Sequence, residues 1–413
     1  MSQTQATVQH ADSINSNDNA PDEKKKQKSK RPPNTAFRQQ RLKAWQPILT
    51  PKTVLPLFFA VGVIFAPIGG LLLWASSQVQ EISIDYSNCA KIAPSDFENM
   101  SSDRLSASFK SSKTVPPARW KRETNTSVTY NDSQVQVNDT TKCILQFSIP
   151  EDMKPPVLLY YRLTNFYQNH RRYVKSFDSS QLDGNARTAD QIHTSDCDPL
   201  AWDANKKPYY PCGLIANSIF NDTYVNLQLL NPSGSNSNSS TNSSASIYNM
   251  TASGIAWSSD KSLYKNTEYK AEDVVPPPNW VRRWDYSKKL PDLSTDEAFQ
   301  VWMRTAGLPT FSKLALRNDK DVMQTGSYQI EIWDEFNTTL YGGTKAILIS
   351  TRTVMGGKNP FLGIAYIVVG GLCILLGALF TATHIIKPRK LGDHTYLSWD
   401  KEPTAAQATR PQN

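Results

Sequence analysis

Residues 53–80 read TVLPLFFAVGVIFAPIGGLLLWASSQVQ and contain no charged side chain. Near the other end of the 413-residue chain, residues 359–386 read NPFLGIAYIVVGGLCILLGALFTATHII and also lack Asp, Glu, Lys and Arg. A bilayer core is about 30 Å thick and is crossed by roughly 20 apolar residues in a helix. The sequence therefore predicts two transmembrane helices, at residues 55–76 and 359–386, rather than a cleaved signal peptide or two apolar helices of a soluble core.

The excess of basic residues lies outside the segment between the two predicted spans. Between Lys24 and Lys52 there are ten Lys or Arg and no acidic residue, and three more basic residues occur at 387–390. The segment 77–358 holds thirty basic and thirty acidic residues, so the net charge of +8 comes from the two ends. Basic flanks stay in the cytosol. Both termini are therefore predicted to be cytosolic, and the charge indicates contact with membrane lipids and no nucleic-acid partner.

Acceptors for asparagine-linked glycans, of the form Asn-x-Ser/Thr, occur nine times, and all nine lie between the spans. Three of them belong to a Ser/Asn-rich run in which such triplets arise from composition: Asn238, Asn242 and Asn249. The other six are Asn99, Asn125, Asn131, Asn138, Asn221 and Asn337. Because this modification occurs in the secretory pathway, the acceptors also predict a lumenal or extracellular segment.

Four of the five cysteines lie in the same segment, an even number that is typical of an oxidising compartment. Four cysteines permit three pairings. Proximity favours Cys197 with Cys212, which closes a loop worth about 3 kcal/mol in the chain-entropy model, and Cys89 with Cys143. The fifth cysteine, Cys373, lies in the second span and has no expected partner.

The segment 77–358 is predicted to be one antiparallel β domain with short helical insertions. Short β-branched or aromatic runs separated by Pro, Gly and Asn occur at 82–86, 143–149, 157–161, 224–230, 328–333 and 345–351. Apolar spacing predicts a helix over 163–170, and a capping box at Ser294–Glu297 predicts a second one.

The remaining segments are predicted from composition. Residues 1–36 are polar and are expected to be a disordered cytosolic tail, residues 37–54 a basic juxtamembrane segment, and residues 387–413 a second cytosolic tail. Both spans lack ionisable Asp, Glu, Lys and Arg, so they offer no ion or proton path. Their small residues, Pro67, Gly69–Gly70, Gly370–Gly371 and Gly377, indicate close helix contacts.

The sequence contains no recognisable catalytic motif. It has no G-x-S-x-G elbow, no phosphate-binding loop and no G-x-G-x-x-G fingerprint. Only His170 and His193 lie between the spans, too few for a zinc site based on histidine. His170 is a candidate base by residue type alone, and a structural or interface role is preferred. We therefore expect no cofactor, no metal and no catalytic residue.

Several long stretches resemble one family, that of the accessory (beta) subunits of type IV P-type ATPases, the phospholipid flippases. This is the cell-division-control protein fifty family. The matching stretches are FRQQRLKAWQPILTPKTVLP at 37–56, NFYQNHRRYVKS at 165–176, YYPCGLIANSIFNDT at 209–223, PPPNW at 276–280 and MGGKNPFLGIAY at 355–366. They occur in the family's order, so the resemblance covers nearly everything except the tails.

The resemblance implies a jelly-roll-like antiparallel β-sandwich that caps the exoplasmic loops of an ATPase catalytic subunit in a one-to-one heterodimer. It implies that the four cysteines named above form disulfides and that Asn221 carries a glycan. It also implies a role in the pump's folding, in its exit from the endoplasmic reticulum and in its transport cycle. ATP hydrolysis then belongs to the partner, in agreement with the absence here of the motif Asp-Lys-Thr-Gly-Thr.

Two other classes share some of these features. A two-span channel-type subunit with a disulfide-rich ectodomain has the same topology, but the spans offer little polar lining. A lumenal glycosidase stays open because carboxylates are plentiful, although nothing singles out a pair. The expected location is an integral membrane protein of the secretory pathway, in the endoplasmic reticulum, Golgi, endosome or plasma membrane.

Overall fold

The computed structural model describes residues 34–43, 50–111, 114–130, 132–231, 246–353 and 356–388. Most of both predicted tails lies outside the described residues, as do Asn131, Asn238 and Asn242. The chain divides into two compact units, of which the second runs from Leu55 to Pro388. In the first unit, residues 34–43 form a turn in which Arg41 N donates to Ala36 O at 2.7 Å.

The described helices and strands follow in chain order. The helices are α1 (Pro51–Ser77), α2 (Cys89–Ile92), α3 (Arg171–Lys175), α4 (Ser179–Leu182), α5 (Ala189–His193), α6 (Leu214–Asn217), α7 (Ser258–Lys261), α8 (Glu297–Met303) and α9 (Phe361–Ile386), with 3-10 turns at Ser102–Arg104, Pro278–Trp280 and Thr338–Tyr341. The strands are β1 (Glu81–Asp85), β2 (Glu98–Asn99), β3 (Leu105–Ser108), β4 (Arg119–Tyr130), β5 (Val135–Ile149), β6 (Val157–Leu163), β7 (Thr223–Tyr224), β8 (Leu227–Leu229), β9 (Ser246–Tyr248), β10 (Phe311–Asn318), β11 (Gly326–Trp333) and β12 (Lys345–Thr351).

The two long helices, α1 and α9, are the predicted membrane spans. They contain 27 and 26 residues, and both are long and apolar enough to cross a bilayer. Large apolar side chains such as Leu57, Leu71 and Leu375 are more than 60 % exposed, which suits lipid and not water. The first helix begins at Pro51, before the predicted residue 55, and the second begins at Phe361, after the predicted residue 359.

The two helices contact each other at glycines that are spaced by seven residues. Gly62 and Gly69 of α1 are buried, as are Gly363, Gly370 and Gly377 of α9. Seven residues make about two helical turns, so each set lies on one face. A Cβ atom at Gly69 would lie only 2.8 Å from Gly363 O, so the backbones are in direct contact.

The ectodomain is built from two antiparallel sheets. In the described residues the first sheet has the order β10-β6-β12-β1-β3, and the second has the order β2-β4-β5-β11-β8-β9, with β7 also paired to β11. Alternate residues of each sheet point to a common core. Ile82 and Ile349 of the first sheet belong to the same buried cluster as Leu145 and Ile330 of the second. The sheets therefore pack face to face as a sandwich, and the predicted fold class is confirmed.

The spans are connected to neighbouring strands of the first sheet, α1 to β1 through three residues and β12 to α9 through nine. Glu81, at the start of β1, is paired with Ser350, near the end of β12. Just below this pair, Thr351 N donates to Gln80 O at 2.9 Å, and Gln80 N donates to Thr351 Oγ1 at 3.0 Å. The outer ends of the helices are joined as well, because Asn359 N donates to Ser76 Oγ at 3.0 Å. Hydrogen bonds therefore connect the two chain segments at the point where the membrane helices meet the first sheet.

A second buried cluster lies beside the sandwich and is mainly aromatic. It is formed by residues from the long excursion between β6 and β10 together with the end of β6, and it includes Tyr210, Trp280, Trp284, Phe299 and Trp302. The short helices α3 to α8 lie in this excursion. Aromatic packing of large side chains thus takes the place of a sheet in this half of the ectodomain.

The predicted strands are largely confirmed, and one needs correction. Four of the six predicted runs fall within β5, β6, β11 and β12, and the run at 82–86 coincides with β1 except for Tyr86. The run at 224–230 is instead divided into β7 and β8, with residues 225 and 226 between them. Val225 N still donates to Glu331 O at 2.9 Å, so the run follows β11 although it is not a continuous strand.

The helix predicted over 163–170 is wrong. Leu163 ends β6, and Asn165 has a left-handed backbone with φ of 57°. The Asn165 side chain donates to Tyr341 O at 2.6 Å, which fixes the turn. Phe166, one of the apolar residues in the predicted pattern, packs among other aromatic rings instead of on a helix face. A helix, α3, follows only from Arg171.

The helix predicted after Ser294 exists as α8, but its cap differs from the prediction. Asp296, and not Ser294, is the N-cap, and its side chain accepts from Phe299 N at 2.9 Å. Glu297 does not close a capping box. Its carboxylate accepts from Gly254 N and Ala256 N, so it holds a neighbouring loop instead.

We predict that Gly69→Ala destabilises the protein, since its methyl group would meet the backbone of α9 at 2.8 Å. Overpacking of this kind costs about 1–3 kcal/mol. The matched control is Gly70→Ala, where a Cβ atom would have no neighbour within 4 Å. The thermal unfolding midpoint of the purified protein in detergent should fall for the first variant only. Equal losses for both variants would contradict the glycine contact.

Candidate functional site

Three stretches that carry the family resemblance meet around α6 although they are far apart in sequence. These stretches are 165–176, 209–223 and 276–280. Leu214 N, at the start of α6, donates to Ser176 Oγ at 2.9 Å. Asn279 N donates to Asn217 Oδ1 at 2.9 Å at the other end of this helix. We call this region the motif junction, defined by Ser176, residues 209–223 and residues 276–280.

Two tryptophans hold the carbonyl groups of α6. Trp280 Nε1 donates to Ala216 O, and Trp302 Nε1 donates to Ile215 O, both at 2.8 Å. The last carbonyl groups of a helix lack their helical partners, and these indoles add to the bonds that Ala216 O accepts from Ile219 N and Ile215 O from Ser218 Oγ. Gly213, just before the helix, has φ of 96°, and a Cβ atom there would lie 2.1 Å from Ser176 O. Only glycine fits this position.

One disulfide closes a loop of 15 residues, and the other joins cysteines that are 54 residues apart in sequence. Cys197 is bonded to Cys212 in the motif junction, and Cys89 of α2 is bonded to Cys143 of β5. All four cysteines are buried. These are the pairs that sequence proximity favours, and Cys373 of α9 is free. The separations between the paired Cα atoms, 6.1 and 5.7 Å, are ordinary for disulfides.

The side chain of Gln181 braces the disulfide in the motif junction. Its Oε1 accepts from Cys212 N at 2.8 Å, and its Nε2 donates to Tyr209 O at 2.9 Å. Tyr286 Oη also donates a short hydrogen bond to Tyr210 O. These groups are buried or half-buried, so the polar backbone groups of Tyr209, Tyr210 and Cys212 that they contact have partners inside the protein.

A buried ion cluster ties the motif junction to the first sheet. Lys345 Nζ, at the start of β12, donates to Asp222 Oδ2, Asp334 Oδ1 and the Phe336 carbonyl, each at 2.6 Å. Tyr86 Oη donates to Asp222 Oδ2 at 2.8 Å. The side chains of Lys345 and Asp222 are 2 % and 0 % exposed. These four side chains, Lys345, Asp222, Asp334 and Tyr86, form what we call the ion cluster.

Asp222 and Asp334 stabilise the charge of Lys345, whereas burial raises the pKa of Asp222 above its ordinary value despite the charge of Lys345. Burial alone would lower the pKa of Lys345, but Asp222 and Asp334 raise it above its ordinary value, so the ammonium group stays charged. Burial, and then the charge of Asp222, raise the pKa of Tyr86 well above its ordinary value, so its hydroxyl remains a donor. Sequence reasoning missed this cluster. Its only signal was a lysine at the start of an otherwise uncharged strand, KAILIST.

The predicted glycan acceptors lie at accessible positions wherever the structure describes them. Five are exposed: Asn99, Asn125, Asn138, Asn249 and Asn337. Asn221 is half-buried at the edge of the motif junction. Exposure permits a glycan, and which acceptors are occupied stays a prediction.

The two histidines of the ectodomain do not form a common site. His170 is exposed and is the N-cap residue of α3. His193 is stacked on Trp202, with 4.1 Å between the ring centroids. Among the described residues, no group of three or more His, Cys, Asp or Glu side chains is arranged to hold a metal ion.

These features define the class of protein: a two-span membrane protein with a disulfide-braced β-sandwich between its spans. The sequence model of the LEM3 (ligand-effect modulator 3) family / CDC50 family matches residues 72–390, and the chain belongs to this family. The match includes both disulfides, the motif junction, the ion cluster and the second span.

Curated relatives cover most of the chain. It is 43 % identical over 386 residues to the phospholipid-transporting ATPase accessory subunit CDC50 of Chaetomium thermophilum. This alignment covers 90 % of this chain and 91 % of the relative. It is 40 % identical over 383 residues to the accessory subunit CRF1 of Saccharomyces cerevisiae, covering 92 % and 91 %. It is 38 % identical over 367 residues to cell cycle control protein 50A of Mus musculus, covering 85 % and 88 %.

We predict that Lys345→Met lowers the free energy of unfolding by about 3–5 kcal/mol, because it leaves two buried carboxylates without their cation. The control is Lys142→Met on β5. Lys142 Nζ lies 3.1 Å from Glu331 Oε2 in a partly exposed pair, which is worth about 0–1 kcal/mol. Denaturant unfolding of the purified proteins measures both. A loss at Lys345 no larger than that at Lys142 would show that the ion cluster is not a brace.

Proposed function

We propose that this chain is the non-catalytic accessory subunit of a phospholipid-transporting P-type ATPase, with which it forms a one-to-one heterodimer. The observation that carries the proposal is family membership across residues 72–390, with relatives whose names state this role. The structure of the chain supports it, since strand pairing and hydrogen bonds connect the spans to the ectodomain. ATP hydrolysis and the choice of lipid belong to the partner.

The proposed topology places residues 77–358 on the lumenal or exoplasmic side and both termini in the cytosol. Residues 55–76 and 359–386 cross the membrane, residues 37–54 are a basic juxtamembrane segment, and residues 1–36 and 387–413 are cytosolic tails. The charge distribution supports this orientation because the basic excess lies at the two ends. The disulfides and glycan acceptors support it because both belong to the secretory pathway. The protein then passes from the endoplasmic reticulum to the Golgi, endosome or plasma membrane with its partner.

The proposed mechanism is assembly followed by conformational bias. The spans lie beside the membrane helices of the pump, and the ectodomain covers its exoplasmic loops, so surfaces that would retain the unassembled pump in the endoplasmic reticulum are buried. A subunit can also shift the equilibrium of its partner by binding one state more tightly than another. Phospholipid movement from the exoplasmic to the cytosolic leaflet is therefore supported without any chemistry in this chain.

Co-purification in a mild detergent tests the assembly. Mass spectrometry and native mass measurement should find one copy of this chain with one P-type ATPase catalytic subunit. Homo-oligomers that lack an ATPase would favour the channel-type alternative.

In sealed vesicles with the cytosolic side outward, added protease should remove the tails and leave the ectodomain intact. Digestion of the ectodomain with protected tails would reverse the proposed topology.

We predict that Cys197→Ser and Cys212→Ser each retain the partner ATPase in the endoplasmic reticulum. Each variant opens the disulfide of the motif junction, whose 15-residue loop is worth about 3 kcal/mol. The control is Cys373→Ser, which removes the free cysteine of α9. Fluorescence localisation of the ATPase and lipid uptake by the cells measure the effect. Normal export with both junction variants would count against a role for this disulfide in assembly.

A further inference from the structure

A groove of about 420 Å³ lies beside the motif junction. It lies where the β4–β5 hairpin meets segments 218–221, 278–283 and 335–341. The aromatic rings of Tyr130, Phe336 and Tyr341 line it. Its volume falls within the range of about 300–1,000 Å³ that is usual for small-molecule pockets, so it can admit a sugar ring.

Two hydrogen-bond donors on this groove have no partner in the part of the chain that the structure describes. They are Tyr341 Oη and Arg283 Nε, and both atoms are buried. The rest of the Arg283 guanidinium is fixed, because Nη2 donates to Asp132 Oδ2 at 2.6 Å and the group lies 4.5 Å from the Tyr130 ring centroid. Buried donors are nearly always paired with protein or with ordered water, so a ligand oxygen in the groove is one acceptor that would satisfy them.

Asn221 lines the same groove, and the fold holds it in place. Its half-buried amide makes no hydrogen bond to the described residues. The next residue, Asp222, belongs to the ion cluster, and its Oδ1 also accepts from Glu335 N at 2.7 Å and Phe336 N at 2.6 Å. These bonds join Asp222, the neighbour of Asn221, to Glu335 and Phe336 on the opposite wall of the groove. Asn221 is therefore a preorganised point of attachment.

We propose that the first sugar of an asparagine-linked glycan on Asn221, an N-acetylglucosamine, occupies this groove and stabilises the ectodomain. The bond from Asn221 Nδ2 to sugar C1 forms in the lumen as the C1–O bond to a lipid diphosphate donor breaks and the amide loses a proton. The C–H faces of the sugar pack on the aromatic rings. Its hydroxyl and acetamide oxygens accept from Tyr341 Oη and Arg283 Nε. Covalent attachment keeps the sugar at a high effective concentration.

Asn337 provides the contrast on the rim of the same groove. It is exposed, and its Oδ1 already accepts from Thr339 N at 3.0 Å and Thr339 Oγ1 at 2.6 Å. Its side chain is thus committed to capping the turn at Thr338–Tyr341. Asn99, in the short strand β2, is also exposed. A glycan on either residue extends into solvent.

The test compares the release of the glycans from the intact protein. The full chain is treated with peptide N-glycosidase without denaturant, and release is followed at each asparagine by mass spectrometry. Release at Asn221 should be at least about tenfold slower than at Asn337 or Asn99, because the first sugar must leave the groove before it can be cleaved. After denaturation the rates should become equal. An unoccupied Asn221, or equal native rates, overturns the proposal.

A second measurement probes the groove itself. Tyr341→Phe removes only the unpartnered hydroxyl, so it should speed native release at Asn221 and lower the thermal midpoint by about 2–4 °C. In the Asn221→Gln background the same change should have no effect on the midpoint. Tyr167→Phe, at an exposed tyrosine, is the matched control. If Tyr341→Phe leaves the release rate unchanged, the hydroxyl does not contact the sugar and the proposed geometry is wrong.

The outcomes separate this inference from the proposed function. Should none of the acceptors carry sugar, the groove assignment fails, and the protease experiment on sealed vesicles decides the topology separately. Should Asn337 or Asn99 carry sugar while Asn221 is bare or freely cleaved, only the groove assignment fails. The release experiment needs no ATPase, so it remains decisive if Asn221→Gln prevents export.

Discussion

The spans enter the ectodomain as neighbouring strands, and the rest of the structure depends on this constraint. β1 begins four residues after α1 ends, and it pairs with β12, which leads to α9. Paired strands lie about 4.8 Å apart, so the helices that feed them must also be close. The buried glycines remove the side chains that would hold the helices apart. Helix contact and strand pairing therefore favour each other.

Strand β12 carries this constraint from the membrane to the far edge of the sandwich. All seven of its residues are buried, and it pairs with β1 on one side and β6 on the other. At its membrane end Thr351 is bonded to Gln80, and at its other end Lys345 holds the ion cluster. The strand is about 23 Å long. A displacement at the motif junction is thus transmitted toward the spans along β12, which is paired on both sides.

The parts of the structure that depend on local pattern were predictable from the sequence, and the parts that depend on distant contacts were not. The spans follow from length and hydropathy, and five strands follow from short β-branched or aromatic runs. The seven-residue spacing of Gly62 and Gly69 is also visible in the sequence. In contrast, the turn after Leu163 is set by a bond from Asn165 to Tyr341. The partners of Lys345 come from two separate segments, at Asp222 and at residues 334–336, and no local pattern reveals them.

A subunit without chemistry can affect a pump only through differences in its affinity for the pump's states. A soft ectodomain would adjust to each state and bind all of them with similar free energy. A stiff one fits some states better than others, so its stiffness sets the size of the bias. Two disulfides, a buried ion cluster and glycine-packed spans supply this stiffness in the present chain. On the proposed function, these braces do more than stabilise the fold, because they are what allows the protein to discriminate between conformations of its partner.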